Sequence, residues 1–593
     1  MGPPLSKTLR SVDRNQALWF VLGALAGAWM IAVSVAGLTW RLGPGALLAA
    51  GALAVAAAVL TRRAVGCPST WLASNLWFVL PLLPVLILAA FVPVYTWDEV
   101  AYSVALPRDY AHAGHFFYNA DYGPYSAFPG NFEAFTTVGL MLTGNATPAK
   151  LLNVAMVLGM ALLAGSLFQQ LGGRRSWSAV PALLVFSAPA VVTYATVAKG
   201  DVASAFFQCL SIVACAQYLE RPRVWLLGLA GGFLGVALGT KYASLQFALC
   251  LAGSLAVASF QVSLAPATRA RHLAIFALGA GLAAAPWYAR NLFLLGNPIF
   301  PFWNGPLHAA NGFGPNQAAL TAEMFGGLSG YSMATGSLET FAAKFANQFG
   351  LLPLLLGIPG LLGLARCFGS SRHLFLAMLL LSFTVITYLF GFWEPRYVLT
   401  LLVLASVSAG LAAERAIRSI AGRWRGVPAL ATTLLCALGV QREVTVHRAE
   451  LEAWRTFTPE QFRAAAVPYW SVADWLNRNM GERDKVGVGV NVQPFLYLER
   501  PYFHIHPMSE KGDLPSRETP DDFLAAFRSL GLTVLAINRW DPSLNGYPEA
   551  TAPRLHAFLR RLYHAIDTLA ERRTLTLVAY LEGVTIYRIE GGP

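Results

Sequence analysis

The chain has 593 residues, of which 56% are hydrophobic and only 12% are charged, and its mean hydropathy is +0.51. Soluble globular proteins carry roughly 25% charged residues, so the composition excludes an ordinary soluble enzyme. The net charge of +12 comes largely from arginines between apolar segments, which is typical of proteins that face anionic lipid rather than nucleic acid.

Apolar segments long enough to cross a bilayer recur from Ala17 to about Gln441. A transmembrane helix needs roughly 17–25 mainly apolar residues, and barrel strands are much shorter. We therefore predict a multispanning α-helical membrane protein with about 13 transmembrane helices. The predicted spans are residues 17–39, 45–61, 73–94, 149–170, 178–197, 202–219, 224–239, 244–262, 273–289, 349–365, 374–392, 397–413 and 427–440.

Positive charges alternate between the connections, which predicts their sidedness. The N-terminal segment and alternate connections are rich in bases: Lys7, Arg10, Arg14, Arg62, Arg63, Arg174, Arg175, Arg221, Arg223, Arg269, Arg271, Arg366, Arg372, Arg415, Arg418, Arg423 and Arg425. The opposite connections hold only isolated bases. By the positive-inside rule the N-terminus is cytoplasmic, and an odd number of spans places residues 441–593 outside. We predict a multi-pass protein of the bacterial inner (plasma) membrane, with a periplasmic C-terminal domain in a Gram-negative cell.

The six cysteines predict neither disulfides nor a metal site. They are Cys67, Cys209, Cys215, Cys250, Cys367 and Cys436, in predicted spans or cytoplasmic turns, and none has zinc-ligand spacing. We expect them to be small apolar packing residues.

The predicted outer face collects ionisable residues from five connections. They are Asp98, Glu99, Lys199, Asp201, Lys241, Arg290, Glu394 and Arg396. Ionisable groups near membrane depth are costly, so they indicate a function or a pairing partner. Two external segments, residues 95–148 and 290–346, are long. The first predicts interfacial amphipathic helices, and the second, rich in glycine at 326–336, predicts a lid.

Structural roles compete with functional ones at each of these positions. Thr96 and Glu99 fit a capping box, and Asp98 and Glu99 would favour a helix N-terminus through its dipole. Asp201 could cap the span that begins there, with Lys199 as its partner. Lys241, Arg290 and Arg396 could extend to the interface only to keep their charges in water.

The order of several short motifs resembles a known family. Asp98-Glu99 begins the first external segment, Lys199-Gly-Asp201 lies at a helix end, and Arg290-Asn291 with Gly296-Asn-Pro follows Pro286-Trp-Tyr. A late Pro395-Arg-Tyr397 and an external C-terminal domain complete the pattern. The chain resembles the GT-C superfamily of membrane glycosyltransferases, in particular bacterial relatives of protein O-mannosyltransferases and of aminoarabinose transferase.

The resemblance implies transfer of a hexosyl or pentosyl group from a polyprenyl-phosphate carrier to a lipid, glycan or protein acceptor at the outer face. It implies catalytic roles for Asp98, Glu99 and Asp201, with Asp98 near the acceptor. Contacts to the carrier phosphate or sugar would come from Lys199, Lys241, Tyr242, Arg290, Asn291, Arg396 and Tyr397. Inversion at the anomeric carbon is expected, and the scheme requires no metal or other cofactor.

Two departures from the family pattern matter. The stretch Tyr122–Pro129 lacks the basic residue that often precedes a proline pair, which leaves open which base binds the phosphate. The Trp-Trp-Asp signature of oligosaccharyltransferases is also missing, so transfer to asparagine is not expected.

Residues 441–593 predict an external α/β domain. Strands are predicted at Val486–Val490, Leu532–Ile537, Thr574–Tyr580 and Val584–Ile589, with helices near 470–480, 520–530 and 552–570. The Gly487-x-Gly489 pair predicts a plain strand rather than a nucleotide loop. His504 and His506 are expected on an extended stretch as surface histidines.

Other functions fit parts of the pattern. A transporter or flippase for lipid-linked sugars is one alternative, although no internal repeat is evident. A polymerase or ligase of lipid-linked saccharides is a second, and a non-catalytic binding relative is a third.

Overall fold

The computed structural model describes residues 5–65, 78, 80–302, 315–324, 338–365, 369–390, 394–421 and 426–591, apart from residues 490, 508, 510, 546, 548 and 551. The chain divides into two compact units. The first, the helical unit, comprises residues 1–92, 129–286 and 336–455. The second, the mixed unit, comprises residues 93–128, 287–335 and 456–593.

The described helices follow in chain order. Up to residue 259 they are α1 (Leu5–Thr39), α2 (Pro44–Val65), α3 (Leu83–Ala90), α4 (Ala105–Ala113), α5 (Asn131–Thr143), α6 (Thr147–Gln170), α7 (Ala179–Phe186), α8 (Pro189–Ala195), α9 (Asp201–Glu220), α10 (Val224–Leu238) and α11 (Ser244–Ser259). Beyond it they are α12 (Pro266–Leu295), α13 (Pro315–Met324), α14 (Leu338–Phe349), α15 (Leu351–Ala365), α16 (Ser371–Phe390), α17 (Leu399–Ala421), α18 (Val427–Thr456), α19 (Pro459–Ala466), α20 (Trp470–Asn479), α21 (Pro520–Ser529) and α22 (Pro553–Glu571).

The prediction of a multispanning helical membrane protein is confirmed. Among the described residues, 8 helices are long and apolar enough to cross a membrane, or up to 10 if two bent pairs each form one span. Every predicted span overlaps a described helix or bent pair, but α3, α10 and α11 are shorter than a full crossing, so the count of thirteen stays a prediction. Residues 66–77 and 79, in and before the third predicted span, lie outside the described part. The last predicted span lies within α18, which continues beyond it to Thr456.

Burial in the helical unit separates a lipid-facing surface from an interior. The exposed leucines 430, 434 and 438 recur every four residues along α18, which puts them on one side of that helix. In contrast, α9 is buried along its whole membrane-length window. Because α9 is enclosed along this length, it is a central helix of the unit.

Small residues let α10 and α12 approach closely. A Cβ atom at Gly231 would overlap the backbone oxygen of Phe276, and one at Gly235 would overlap that of Ala280. By contrast, a Cβ atom at Gly232 would meet nothing within 4 Å. Contacts of this kind are typical of helix pairs in membranes, where small residues allow backbones to pack together.

We expect Gly231→Ala to destabilise the protein by about 1–3 kcal/mol, because the backbones of α10 and α12 must move apart. Gly232→Ala is the matched control and should leave stability unchanged or raise it, since alanine favours helix by about 1 kcal/mol over glycine. Thermal unfolding of both variants in detergent checks this. Equal melting temperatures for the two variants would contradict the close packing.

The arginine-rich connections meet through ion pairs within the helical unit. Arg372 Nη1 lies 2.9 Å from Glu220 Oε2, and Glu414 pairs with both Arg174 and Arg418. Four connections that the charge pattern predicts to be cytoplasmic are therefore linked in two pairs. The orientation of the termini stays a prediction.

The mixed unit contains a five-stranded sheet with strands β1 (Val486–Gly489), β2 (Tyr502–Ile505), β3 (Val534–Asn538), β4 (Leu575–Leu581) and β5 (Val584–Ile589). Their order is β2-β1-β3-β5-β4, with β1 parallel to β2 and β3, and β5 antiparallel to β3 and β4. Gly487 and Gly489 lie in β1, where a Cβ atom would press on Leu535 or Ile537. This packing explains the Gly-x-Gly pattern and confirms the plain strand.

Two predictions for the C-terminal region need correction. Strand β2 was not predicted, because the stretch Tyr502–Ile505 is short and lies between Pro501 and Pro507. Its His504 is fully buried and His506 is 5% exposed, so they are not surface histidines. Burial and the neighbouring His504 hold the pKa of His506 well below its usual range, so the His506 ring is uncharged at neutral pH.

Candidate functional site

Three ionisable residues meet at the start of α9 in the helical unit. Asp201 Oδ2 lies 3.6 Å from Lys199 Nζ, and Asp201 Oδ1 accepts a short hydrogen bond from Lys241 Nζ. Lys199 and Asp201 are almost completely buried, and the Lys241 side chain is 19% exposed. Gly200 is the N-cap residue of α9, and Asp201 lies in the first turn of this helix. The structure thus brings together three of the residues named from the sequence.

A third base and two tyrosines extend this group. Arg396 Nη2 donates to the Tyr397 hydroxyl at 3.2 Å, and the guanidinium lies 5.0 Å from the centroid of the same ring. Lys241 Nζ lies 4.5 Å from that centroid, so Tyr397 contacts both cations. Tyr194, at the end of α8, is 5.7 Å from Arg396 and was missed from the sequence. We call Lys199, Asp201, Lys241, Arg396 and Tyr397 the basic cluster.

The turn that carries Lys199 is held by an amide from α6. Asn153 Nδ2 donates to the carbonyl oxygens of Val197 at 2.7 Å and of Lys199 at 3.0 Å. A Cβ atom at Gly200 would lie 2.8 Å from Thr240, so only glycine fits between this turn and the segment leading to Lys241. Half-buried Tyr242 follows Lys241 in that segment. The lysines are thus brought together by close backbone contacts.

We expect Asn153→Leu to destabilise the protein and to reduce its activity, because two buried carbonyls lose their donor. An unsatisfied buried polar group costs about 1–3 kcal/mol. A lower melting temperature in detergent, together with a raised KM in the transfer assay described below, checks this. The exposed Asn479→Leu variant serves as control, and wild-type stability in Asn153→Leu would show that the turn needs no support.

Helix α5 begins against the end of α10, in the segment that leads to Lys241. The Asn131 N–H donates to Gly239 O at 2.9 Å, and its side chain donates to Val236 O at 3.2 Å. Glu133 follows two residues after Asn131. Its carboxyl group is close enough to Lys241, Asp201 and Lys199 to interact with their charges. Glu133 was not predicted to be a site residue, because its short helix was assigned to the external segment 95–148. An acidic residue in an otherwise apolar helix was the available signal.

The acidic pair belongs to the mixed unit. Thr96 donates to Glu99 Oε2 from its hydroxyl at 2.8 Å and from its backbone N–H at 3.3 Å. Glu99 is fully buried and begins the π-helical turn Glu99–Ser103, which leads into the predicted interfacial helix α4. Glu99 is therefore engaged in holding this turn. Asp98 is partly exposed and makes no side-chain cap bond to the turn.

Arg290 and Asn291 lie in the mixed unit at the end of α12. Arg290 donates to Asn291 Oδ1 from Nε at 3.0 Å and from Nη2 at 2.8 Å, and its guanidinium lies 4.8 Å from the Trp287 ring. Asn291 Nδ2 donates to Ala127 O at 2.7 Å. Asn291 thus connects the first and second external segments. The predicted lid at 326–336 lies outside the described residues.

The charge balance of the basic cluster favours an anionic ligand. It contains three cations and one carboxylate, so Asp201 neutralises only part of the positive charge. Bringing like charges together in a buried place is unfavourable unless an anion compensates them. Arginine and lysine are the usual partners of phosphate, so a phosphate is the anion best matched to this group.

The chain is similar to known proteins in part of its sequence and in its fold. Residues 107–294 match the family model of dolichyl-phosphate-mannose-protein mannosyltransferases, and this range contains Lys199, Asp201, Lys241 and Arg290. The fold is similar to two crystal structures of ArnT from Cupriavidus metallidurans. The one bound to undecaprenyl phosphate has a TM-score of 0.55 at 16% identity, over 88% of this chain and 99% of that chain.

The ArnT structure in the apo state has a TM-score of 0.57, also at 16% identity, over 88% of this chain and 98% of that chain. No curated protein matches the chain. The resemblance to the GT-C superfamily is confirmed, and the fold is GT-C-like with a C-terminal domain built on a small sheet.

Proposed function

We propose that the chain is a glycosyltransferase that moves a sugar from a polyprenyl-phosphate carrier to an acceptor at the outer face of the membrane. The observation that carries the proposal is the excess of basic groups around buried Asp201, at the start of the central helix α9, where Lys199 is buried and the Lys241 side chain is 19% exposed. The partial match to a mannosyltransferase family and the fold shared with ArnT support it. The proposal does not specify whether the sugar is a hexosyl or a pentosyl group. It also leaves open whether the acceptor is a lipid, a glycan or a protein.

The basic cluster would bind the phosphate of the carrier. As the glycosidic bond breaks, negative charge grows on the phosphate oxygen that leaves. Lys199, Lys241 and Arg396 would stabilise this charge from fixed positions in a water-poor place, where such interactions are stronger than in water. Asp201 would hold the two lysines in position rather than act as a base, because both already neutralise it.

Asp98 is the proposed general base. A hydroxyl acceptor is a poor nucleophile at neutral pH, and a carboxylate that removes its proton accelerates attack by about 10²–10⁴-fold. Glu99 is already bound to Thr96, which favours Asp98 over Glu99 for this role. Attack on the face opposite the phosphate would invert the anomeric carbon. With a phosphate as acceptor no base is needed, and Asp98 would only orient it.

The orientation follows from the same proposal. The N-terminus would be cytoplasmic, and residues 441–593, taken as a soluble domain after a membrane domain of residues 1–440, would lie outside the bacterial inner membrane. Carrier-linked sugars at that face would then reach Lys199, Lys241 and Arg396. Arg290 and Asn291, from the mixed unit, would supply further contacts to the sugar or phosphate.

The test is transfer of radiolabelled sugar by the purified full chain in detergent. A panel of polyprenyl-phosphate sugars serves as donors and a crude envelope extract as acceptor. We expect one donor to be consumed, with label appearing in an envelope fraction. If every donor stays intact while proteoliposomes of the same protein translocate a labelled lipid, the transporter alternative replaces the proposal.

A further inference from the structure

Glu133 lies next to the basic cluster without an ion pair to it among the described residues. The first turn of α5 is fixed on both sides, by the Asn131 bond to Gly239 and by Phe132, which would lie 3.3 Å from a Cβ atom at Gly200. Glu133 belongs to this turn, so its carboxyl group is held close to the segments that carry Lys199, Asp201 and Lys241.

Glu133 is partly exposed as a residue, but the Oε2 atom of its carboxyl group is buried. Within the described part of the chain, its Oε2 atom has no hydrogen-bond partner. A buried carboxylate without partners is costly, whereas the protonated acid is tolerated more easily. Burial raises the pKa of Glu133 to about 7, even though Lys241 and Lys199 favour the charged form. The acid form is therefore present at neutral pH.

Among the described residues, the helices packed against α5 supply no competing charge to Glu133. Helix α1 contributes Ser34, which donates to Asn131 Oδ1 at 3.0 Å, and Trp29, which packs on Phe135. Helix α6 contributes Lys150, whose Nζ donates to Val92 O at 2.9 Å. Lys199, Asp201 and Lys241 are thus the charged groups that face Glu133.

We propose that Glu133 is the catalytic acid of the proposed transfer and protonates the carrier phosphate as it leaves. This inference rests on the proposed function. The bond between the anomeric carbon and the phosphate oxygen breaks, and its electron pair stays on that oxygen. A bond forms between the acceptor oxygen and the anomeric carbon. The acceptor proton goes to Asp98, and the Glu133 proton goes to the phosphate.

Protonation of the carrier phosphate would also help the polyprenyl phosphate to leave the basic cluster. Cleavage without an acid yields a phosphate dianion, which Lys199, Lys241 and Arg396 would hold tightly. A proton from Glu133 reduces the product to a monoanion, which binds these cations less strongly. Water then returns a proton to Glu133 and takes one from Asp98, which restores both groups for the next cycle.

The experiment is a pH profile of kcat/KM for sugar transfer by the full chain, in wild type, Glu133→Gln and Glu133→Asp. The wild-type rate should fall as pH rises through about 7, because the acid form is lost above its pKa. Glu133→Gln should be slower below pH 7 by about tenfold, less than the usual 10²–10⁴ because phosphate is a good leaving group. The alkaline fall should become smaller in Glu133→Gln, with the remainder due to Lys241, whose pKa is lowered by burial to about 7, whereas Glu133→Asp should keep a second step at a shifted pH.

The control is Glu452→Gln, at an exposed carboxylate that pairs with Arg448 on α18, and it should follow the wild type. An active Glu133→Gln variant with an unchanged decrease in rate at alkaline pH would overturn this inference and leave the proposed function standing. A wild-type profile that is flat through pH 7 would do the same, whatever the folding of the variants. Absence of any transfer by the wild type would overturn the proposed function as well.

Discussion

Replacing Lys241 by glutamine is expected to reduce sugar transfer by about 10²–10³-fold, the usual cost of removing one fixed donor from a developing negative charge. Lys199→Gln should have a similar effect. Both lysines contact Asp201 in a buried place, so water cannot replace the missing charge. Steady-state kinetics with a polyprenyl-phosphate donor check this, and kcat should fall more than KM rises.

Lys344 provides the matched control for the lysine variants. Its Nζ lies 2.7 Å from Glu394 in the same unit, but its side chain is 41% exposed. A pair of this kind contributes about 1 kcal/mol or less, so Lys344→Gln should keep its activity. Equal losses in Lys241→Gln and Lys344→Gln would show a general effect of charge rather than a phosphate site.

Asp98→Asn is expected to reduce transfer to a hydroxyl acceptor by about 10²–10⁴-fold, because an amide cannot accept the proton of the nucleophile. Donor binding should be nearly unchanged, since the phosphate contacts stay in place. Binding of a polyprenyl monophosphate, measured alongside transfer, separates these two effects.

Glu99→Gln is the comparison variant for Asp98→Asn. It disturbs the bonds from Thr96, so it should lower the melting temperature while keeping more activity than Asp98→Asn. Greater activity in Asp98→Asn than in Glu99→Gln would reverse the roles of the two carboxylates.

Hydropathy predicted the membrane helices because the bilayer requires apolar length, but it did not predict where they break. The segment 178–197 reads as one span, yet it bends by 66° between α7 and α8. Ala188 is extended there because it precedes Pro189, which disfavours helical geometry in the preceding residue. The bend of 113° between α14 and α15 comes at Gly350, whose φ is 86°.

The charged members of the site were predicted because charge is rare in an apolar chain, and rarity is visible in a sequence. Lys199, Asp201, Lys241 and Arg396 were found in this way. Asn153 was not, since an uncharged amide within a span carries no comparable signal and its two bonds are tertiary contacts. Glu133 could be recognised as a neighbour of the site only from the fold, because α5 packs against Gly200 and Gly239.

The most direct test of the basic cluster as the carrier site is a cryo-EM structure of the full chain with a polyprenyl monophosphate. The phosphate is expected within hydrogen-bond distance of Lys199, Lys241 or Arg396. A separate cavity of about 490 Å³ in the helical unit, lined in part by Ser187, Phe349, Leu438 and Arg442, offers another place for a lipid phosphate. A phosphate bound beside Arg442, with the basic cluster empty, would contradict the account.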